Sequence, residues 1–229
     1  MTNRLVAALP AKRRERFVAS CQCVTLELAA PLAEPGERIR RVYFPTHGFI
    51  SQTAVVDGGS HLEVGLVGVE GMLGISLLLG VAVAPLHALV QGAGEALCME
   101  AASFRRQLRT NAAFEHVLKR YLYVMMEQTA RTAACTHFHL VEARLARWLL
   151  MSRDRSHANT FHVTHEFLAY MLGAQRTGVT RAANALQQRQ LIRYRRGDVT
   201  VLDHSGLEAA ACPCYSIDKA TYSEVMDKH

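Results

Sequence analysis

Acidic residues are missing from one long stretch of this chain: between Gly173 and Gly197 there is no Asp or Glu, against six arginines, Arg176, Arg181, Arg189, Arg193, Arg195 and Arg196. Cations with no local counterpart form an electrostatic footprint for phosphate, unlike an ordinary solvated surface where both signs mix. The whole chain is only moderately basic, with a net charge of +6 and a pI near 9.2, so distribution says more than the total. Glycine and proline are missing from Ala101 to Asp154, which argues against a turn-rich sheet there and favours helix over more than fifty residues.

Formal charge is missing from Gly71 to Gly94, a span long enough to cross a bilayer. Gly74, Gly80, Pro85, His87, Gly92 and Gly94 interrupt it and no basic cluster flanks it closely, so it reads as a buried pair of strands with a loop between. The six cysteines (Cys21, Cys23, Cys98, Cys135, Cys212, Cys214) include no C-x-x-C pair and no dense framework. No secretory leader is read ahead of them, because the apolar run from Leu5 to Leu9 is too short and meets Lys12-Arg13-Arg14. Free thiols, no membrane partner and a reducing, cytoplasmic home are expected. No Pro/Gly/Ser-rich linker, internal repeat or low-complexity tract is present, so the domains should join through helices.

What is there begins with an amphipathic helix over 3–20, with Leu5, Leu9, Phe17 and Val18 on its apolar side. From Cys21 to Met99, short Val, Leu and Ile runs alternate with turn signals about every ten residues, the pattern of a β-sandwich or roll. Asp57-Gly58-Gly59 is a hairpin signal between two of them. In the glycine-free stretch, Phe114, Leu118, Tyr121, Met125, Gln128, Thr132 and Cys135 recur at spacings of four and three. A heptad stripe kept over three repeats predicts a dimerisation helix, with Phe114, Leu118, Tyr121 and Met125 on its seam. A second amphipathic helix runs from Leu140 to Met151 and carries Trp148, the single tryptophan.

The segment from Thr164 to Ile192 is the most informative. Thr164 is an N-cap with Glu166 in the first turn, and Leu168, Ala169 and Leu172 make the apolar face of a two-turn helix. Gly173 supplies a left-handed turn, and a second helix from about Gln175 buries Val179, Ala182, Ala183 and Leu186. The opposite face presents Arg176, Thr177, Thr180, Arg181 and Asn184. Arginine reads guanine O6 and N7 bidentately and asparagine does the same for adenine, so this is a helix-turn-helix with a recognition helix. Leu191 to Leu202 follows as strand, tight turn at Gly197-Asp198, strand, a wing whose tip carries Arg195 and Arg196 for phosphate. Short helices from Ser205 to Ala211 and from about Ile217 to Met226 complete the domain.

With these residues together, the chain resembles the Crp/Fnr family of bacterial regulators, and Gly173, Arg176, Val179, Arg181, Leu186, Leu191 and Ile192 match the family's recognition segment without a gap. The resemblance implies an α+β fold. Residues 1–110 would be a cyclic-nucleotide-binding-like β-roll (double-stranded β-helix type), 111–136 a dimerisation helix, and 137–229 a winged helix-turn-helix. It implies a homodimeric, sequence-specific transcription regulator whose partners are double-stranded DNA, a second copy of itself and RNA polymerase. By likeness, Arg176 and Arg181 read bases together with Thr177, while Thr164 and Gln175 contact the DNA backbone, joined by Thr180, Arg195 and Arg196. Thr177 stands where cyclic-AMP-binding members often carry Glu, and a threonine cannot accept from cytosine N4 in the same way.

The resemblance also bears on ligands. Cyclic-nucleotide binders use a Glu for the ribose and an Arg-Ser pair for the phosphate, and here Met72 and Ala84-Pro85 stand at those places. Gly71 to Gly94 offers no cation, and an apolar lining is expected from Met72, Leu73, Ile75, Leu77, Leu78, Leu79, Val81, Val83 and Leu86. A regulator independent of cyclic nucleotides follows, with the effector unknown. Cys21-x-Cys23 cannot alone hold an iron–sulfur cluster that needs four thiolates, and nothing sets Cys98 and His87 apart as sensor ligands. Cys135 with His137-x-His139, and Cys212-x-Cys214, are metal or redox candidates, but neither group supplies a full ligand set at a recognised spacing. No metal and no cofactor are expected. The alternative is a cupin-like metal enzyme built on the roll, which wants His-x-His and a Glu; His61-Leu62-Glu63 offers one histidine and one acid. No catalytic triad, phosphate loop or paired carboxylates stand out, so a non-enzyme is expected.

Overall fold

The computed structural model describes residues 2–56 and 60–227, and the Asp57-Gly58-Gly59 turn signal lies outside them. The chain is α+β and divides into two compact units. One comprises Met1–Gln52, Leu66–Met126 and Tyr222–His229; the other comprises Thr53–Gly65 and Glu127–Thr221.

The first unit begins with α1 (Arg4–Ala7) and α2 (Ala11–Ala19), two helices where the sequence pattern suggested one. Pro10 separates them because it cannot continue α1 but can open α2. Leu5, Leu9 and Phe17 are buried as expected, whereas Val18 is exposed. The strands are β1 (Gln22–Leu26), β2 (Pro31–Ala33), β3 (Arg41–Val56), β4 (Ser60–Val67) and β5 (His87–Glu100). They form a sheet in the order β1-β5-β3-β4, with β2 also on β5. The antiparallel register sets Gln22 opposite Cys98 and Leu26 opposite Gly94. Gly48 and Gly94 allow β3 and β5 to approach closely: a Cβ on Gly94 would stand 2.3 Å from the His47 carbonyl oxygen. The uncharged span Gly71 to Gly94 becomes a β-bridge at Leu73, a 3₁₀ turn over Ile75–Leu79 and the start of β5, a less regular path than two paired strands. Among the described residues no helix is long and apolar enough to cross a membrane.

Two helices follow, α3 (Ala101–Thr110) and α4 (Ala112–Phe138). The glycine-free stretch is broken at Asn111, whose side-chain oxygen accepts from the Phe114 amide at 3.2 Å and so caps α4. The seam expected on α4 is corrected by the packing. Phe114, Leu118 and Tyr121 are buried in this unit's own core, and Met125 packs against it. The Phe114 ring lies 4.7 Å from Phe17, 5.9 Å from Phe104 and 6.1 Å from Phe44. A heptad spacing marks which residues share a face but does not say what covers it, and here α2, α3 and β3 do.

The second unit is built around α5 (Val141–Ser156), which buries residues on every side, including Leu145, Trp148, Leu149 and Leu150. Around it are β6 (Thr160–His162), α6 (His165–Leu172), α7 (Arg176–Gln188), β7 (Ile192–Arg195), β8 (Asp198–Val201), α8 (His204–Ala210) and α9 (Cys214–Met226). The small sheet runs β6-β8-β7, and β6 is a strand that sequence reasoning missed because three residues are too few to show a period.

Candidate nucleic-acid interface

The Thr164 side chain accepts from the Phe167 amide at 3.1 Å, fixing the start of α6 while leaving its own hydroxyl hydrogen available to a phosphate oxygen. Gly173 ends α6 at φ 54° and ψ 46°, a left-handed conformation that a side chain would adopt at a cost of about 1–2 kcal/mol. The chain then turns into α7, which buries Val179, Ala182, Ala183 and Leu186 against the rest of the unit. This burial orients the helix. Gln175, Arg176, Thr177, Arg181 and Asn184 are left exposed on the other side. Among the described residues neither Arg176 nor Arg181 is paired with a carboxylate, so both guanidinium forks are available to a base edge.

The Thr180 hydroxyl is engaged within the protein. It donates to the Arg176 carbonyl at 3.0 Å, and His165 Nδ1 lies 3.0 Å from the Thr180 hydroxyl oxygen. Burial first, and then Arg176, push His165 below its ordinary pKa, so the ring is neutral at pH 7 and Nδ1–H donates to Thr180. His165 also packs on Tyr194 with ring centroids 4.3 Å apart. Thr180 and His165 therefore position α7 on α6. The i, i+4 distance from Thr180 to Arg176 was the only signal in the sequence, since a threonine inside a helix often bonds back to that carbonyl.

The wing is confirmed as a hairpin, with its turn one residue earlier than expected. Arg195 pairs with Asp198 in register, so Arg196 and Gly197 make the turn, at φ 53° and 89°. Positive φ at both central positions is the turn whose twist matches the flanking strands. Arg193, Arg195 and Arg196 are all exposed. Gln187 holds the wing to α7 by accepting from the Tyr194 amide at 2.8 Å, and the Tyr194 hydroxyl donates to the Val163 carbonyl.

Residues 143–210 match the Crp-like helix-turn-helix domain family. That segment is similar to Crp-like helix-turn-helix domains. Over most of its length the chain is similar in fold to solved Crp/Fnr regulators. It is similar to the c-di-GMP responsive global regulator CLP of Xanthomonas campestris at 19% identity, over 85% of this chain and 100% of that one, with a TM-score of 0.69. It is similar to FixK2 of Bradyrhizobium japonicum at 12% identity, over 84% of this chain and 98% of that one, with a TM-score of 0.70. A CRP-family transcriptional regulator of Thermus thermophilus is 22% identical over 82% of this chain and 96% of that one, with a TM-score of 0.67. At these identities the likeness is one of fold. No curated protein sequence matches the chain.

In the Crp-like domain and the strand residues that pack with it, the pair weighed for a metal enzyme has other partners. His61 stacks on Tyr170 with centroids 4.0 Å apart, and Trp148 Nε1 donates to Glu63 at 2.9 Å. The two candidate cysteine groups, weighed separately in the sequence, are brought together. Cys135 Sγ lies 3.4 Å from Cys212 Sγ, and Cys214 Sγ lies 3.7 Å from His139 Nδ1, whereas His137 is exposed and apart. The hydrogen bond from Cys212 pulls the Cys135 thiol down, while burial raises Cys214.

In the first unit a cavity of about 810 Å³ is lined by Tyr43, Leu73, Ile75, Leu86, Ala84 and Pro85, and also by Arg38, Arg40, Arg41, Glu37 and Glu100. The expected apolar lining is therefore only partly present. Met72 and Leu77 are buried in the core instead, and Leu79, Val81 and Val83 are exposed. Three arginines reach the cavity from outside the uncharged span, Arg38 and Arg40 just ahead of β3 and Arg41 at its start. Arg41 is already engaged, donating to Glu100 at 2.8 Å.

Proposed function

We propose that this chain is a sequence-specific DNA-binding transcription regulator, cytoplasmic and without enzymatic activity, that binds DNA as a homodimer and acts on RNA polymerase. The observation that carries the reading is the exposed face of α7. There Arg176, Thr177 and Arg181 stand free beside Asn184, on a helix held by a capped partner helix and a left-handed turn. Arg176, Thr177 and Arg181 read base edges. Thr164, Gln175, Arg195 and Arg196 contact the phosphates that set the register.

Selection from random DNA supplies the preferred site, and substitutions then test the roles. Arg176→Ala should cost about 1–3 kcal/mol on that site and change binding to random DNA less. Arg195→Ala should weaken all sequences alike and reduce the slope of log affinity against log salt by about 1. Unchanged affinity of Arg176→Ala for the preferred site would place the wrong residues in the groove.

The second copy is proposed to pair along the face of α4 that the core leaves uncovered. His116, Lys119, Tyr123, Met126, Ala130, Ala133 and His137 are all exposed and recur at alternating spacings of three and four. Tyr123 and Met126 are large apolar side chains left in solvent, and Ala130 and Ala133 allow close approach of a second helix. Pairing there is expected to set two recognition helices about 34 Å apart and to select an inverted repeat.

Independence from cyclic AMP and cyclic GMP is part of the proposal. Its support is Met72, fully buried, and Ala84-Pro85 at the cavity wall, where Pro85 lacks a backbone donor. Calorimetric titration with both nucleotides should show no binding and no change in DNA affinity; a micromolar or tighter Kd for either overturns it. Arg38, Arg40 and Arg41 favour trying a larger anionic effector, and cyclic di-GMP, to which the Xanthomonas regulator is described as responsive, is the first compound to titrate.

A further inference from the structure

Cys135 lies in the last turn of α4 and His139 directly follows that helix, while Cys212 precedes Pro213 in the turn after α8 and Cys214 opens α9. The His139 amide still donates to the Cys135 carbonyl at 3.1 Å, so the two side chains project from one turn. The second pair is anchored by the Cys212 amide, which donates to the Ala143 carbonyl at 3.3 Å. All three cysteines are buried and together form a small core of their own, apart from the large cluster around α5. One ligand atom from each of the four residues lies within 4.8 Å of every other.

We propose that Cys135, His139, Cys212 and Cys214 bind one zinc ion, or another borderline-soft divalent cation, as a closed structural site. Zinc–thiolate bonds of about 2.3 Å and zinc–imidazole bonds of about 2.0–2.1 Å place tetrahedral ligand atoms about 3.7–3.8 Å apart for two sulfurs and about 3.5–3.6 Å for sulfur and nitrogen. The Cys135–Cys212 and Cys214–His139 separations, 3.4 Å and 3.7 Å, lie within a few tenths of an ångström of those edges. The Cys135–Cys212 separation is far too long for a disulfide, whose sulfurs bond at about 2.03–2.05 Å. The span of the set suits a single ion, since the thiolates around a polynuclear iron–sulfur cluster stand further apart. Four protein ligands fill the shell and leave no position for water or substrate, which makes the site structural and not catalytic.

The surroundings fit the charge of such a site. Three thiolates around a divalent ion leave one net negative charge, which a buried site must balance. Arg144 is buried, donates to the Leu172 carbonyl and has no carboxylate paired with it among the described residues. The N-terminus of the 13-residue helix α9 begins at Cys214, so its amide dipoles also favour thiolate there. An ion at this place joins the end of α4 to the α8–α9 turn within the unit that holds the helix-turn-helix. The inference does not depend on DNA binding.

Full-length protein purified without chelator and counted by elemental analysis should carry one zinc per chain. Cobalt(II) added to the stripped protein should give the thiolate charge-transfer and ligand-field bands of a tetrahedral sulfur-rich site. Losing a partner outside the ligand shell costs metal affinity about 10–100-fold, so His139→Ala and Cys214→Ser should weaken cobalt binding by at least that much. Cys23→Ser, at an exposed cysteine outside the set, should leave the spectrum unchanged. Chelation of the wild-type protein should shift Trp148 fluorescence, a readout that needs no variant to fold. Wild-type protein that binds no metal and gives no cobalt spectrum overturns the proposal. So does a cobalt spectrum indifferent to Cys214→Ser, or a Cys135–Cys212 disulfide in metal-free protein purified without oxidant.

Discussion

Met126→Glu should convert the protein to a monomer and lower its affinity for an inverted repeat by about 10²–10⁴-fold, the avidity lost when two linked sites become one. Met126 is 64% exposed on α4, so a carboxylate there disturbs no core and should meet its copy only across the proposed seam. Phe114→Ala on the same helix should do the opposite. Its ring is fully buried among Phe17, Phe44 and Phe104, and its loss should destabilise the first unit by about 3–5 kcal/mol. Light scattering and denaturant titration of the two variants decide the matter. A Phe114→Ala protein that is monomeric yet as stable as the wild type would show that the buried stripe is the seam.

Asp218→Ala should be the costliest single change in the second unit, at about 3–5 kcal/mol. Asp218, on α9 and 6% exposed, accepts from Arg147 on α5 at 2.7 Å and from Arg131 on α4 at 2.9 Å. Burial pushes its carboxyl up, and the two guanidiniums oppose that. Truncation would leave Arg147, itself 7% exposed, as an uncompensated buried charge, which costs far more than the ion pair gains. Trp148, the single tryptophan, lies in this unit, so urea unfolding followed by its fluorescence reads the loss directly. Asp218→Asn keeps part of the hydrogen bonding and should cost less. A loss below 1 kcal/mol for Asp218→Ala would mean that the three helices are held without this charge.

The helix-turn-helix was legible almost residue by residue because every signal for it is local. Thr164 caps, Gly173 turns, and Val179, Ala182, Ala183 and Leu186 repeat with the helical period, so the exposed arginines could be named before any contact was known. The wing was legible too, with its turn displaced by one residue, because Arg196 takes a left-handed conformation that glycine would have advertised. Asn111 shows the limit of reading helices from missing glycine and proline: a short polar side chain ended α3 by capping α4.

The seven-residue spacing on α4 was read correctly as a repeat and assigned to the wrong neighbour. Two stripes run along that helix, one through Phe114 and Tyr121 and one through Tyr123 and Met126, and each keeps the same period. The first is richer in large apolar groups because it faces the chain's own core, the environment that rewards them most. Which stripe is covered depends on α2, α3 and β3, elements far away in sequence.

The sequence by itself determined the α+β class, the helix-turn-helix with its exposed arginines and the cationic wing, because periodicity, caps and turn chemistry act within a few residues. Only the tertiary structure decided which face of α4 remains open, that Arg38, Arg40 and Arg41 reach the cavity, and that Cys135 and His139 meet Cys212 and Cys214. Those outcomes depend on chain segments separated by tens of residues, and a linear pattern carries no record of the packing that closes such distances.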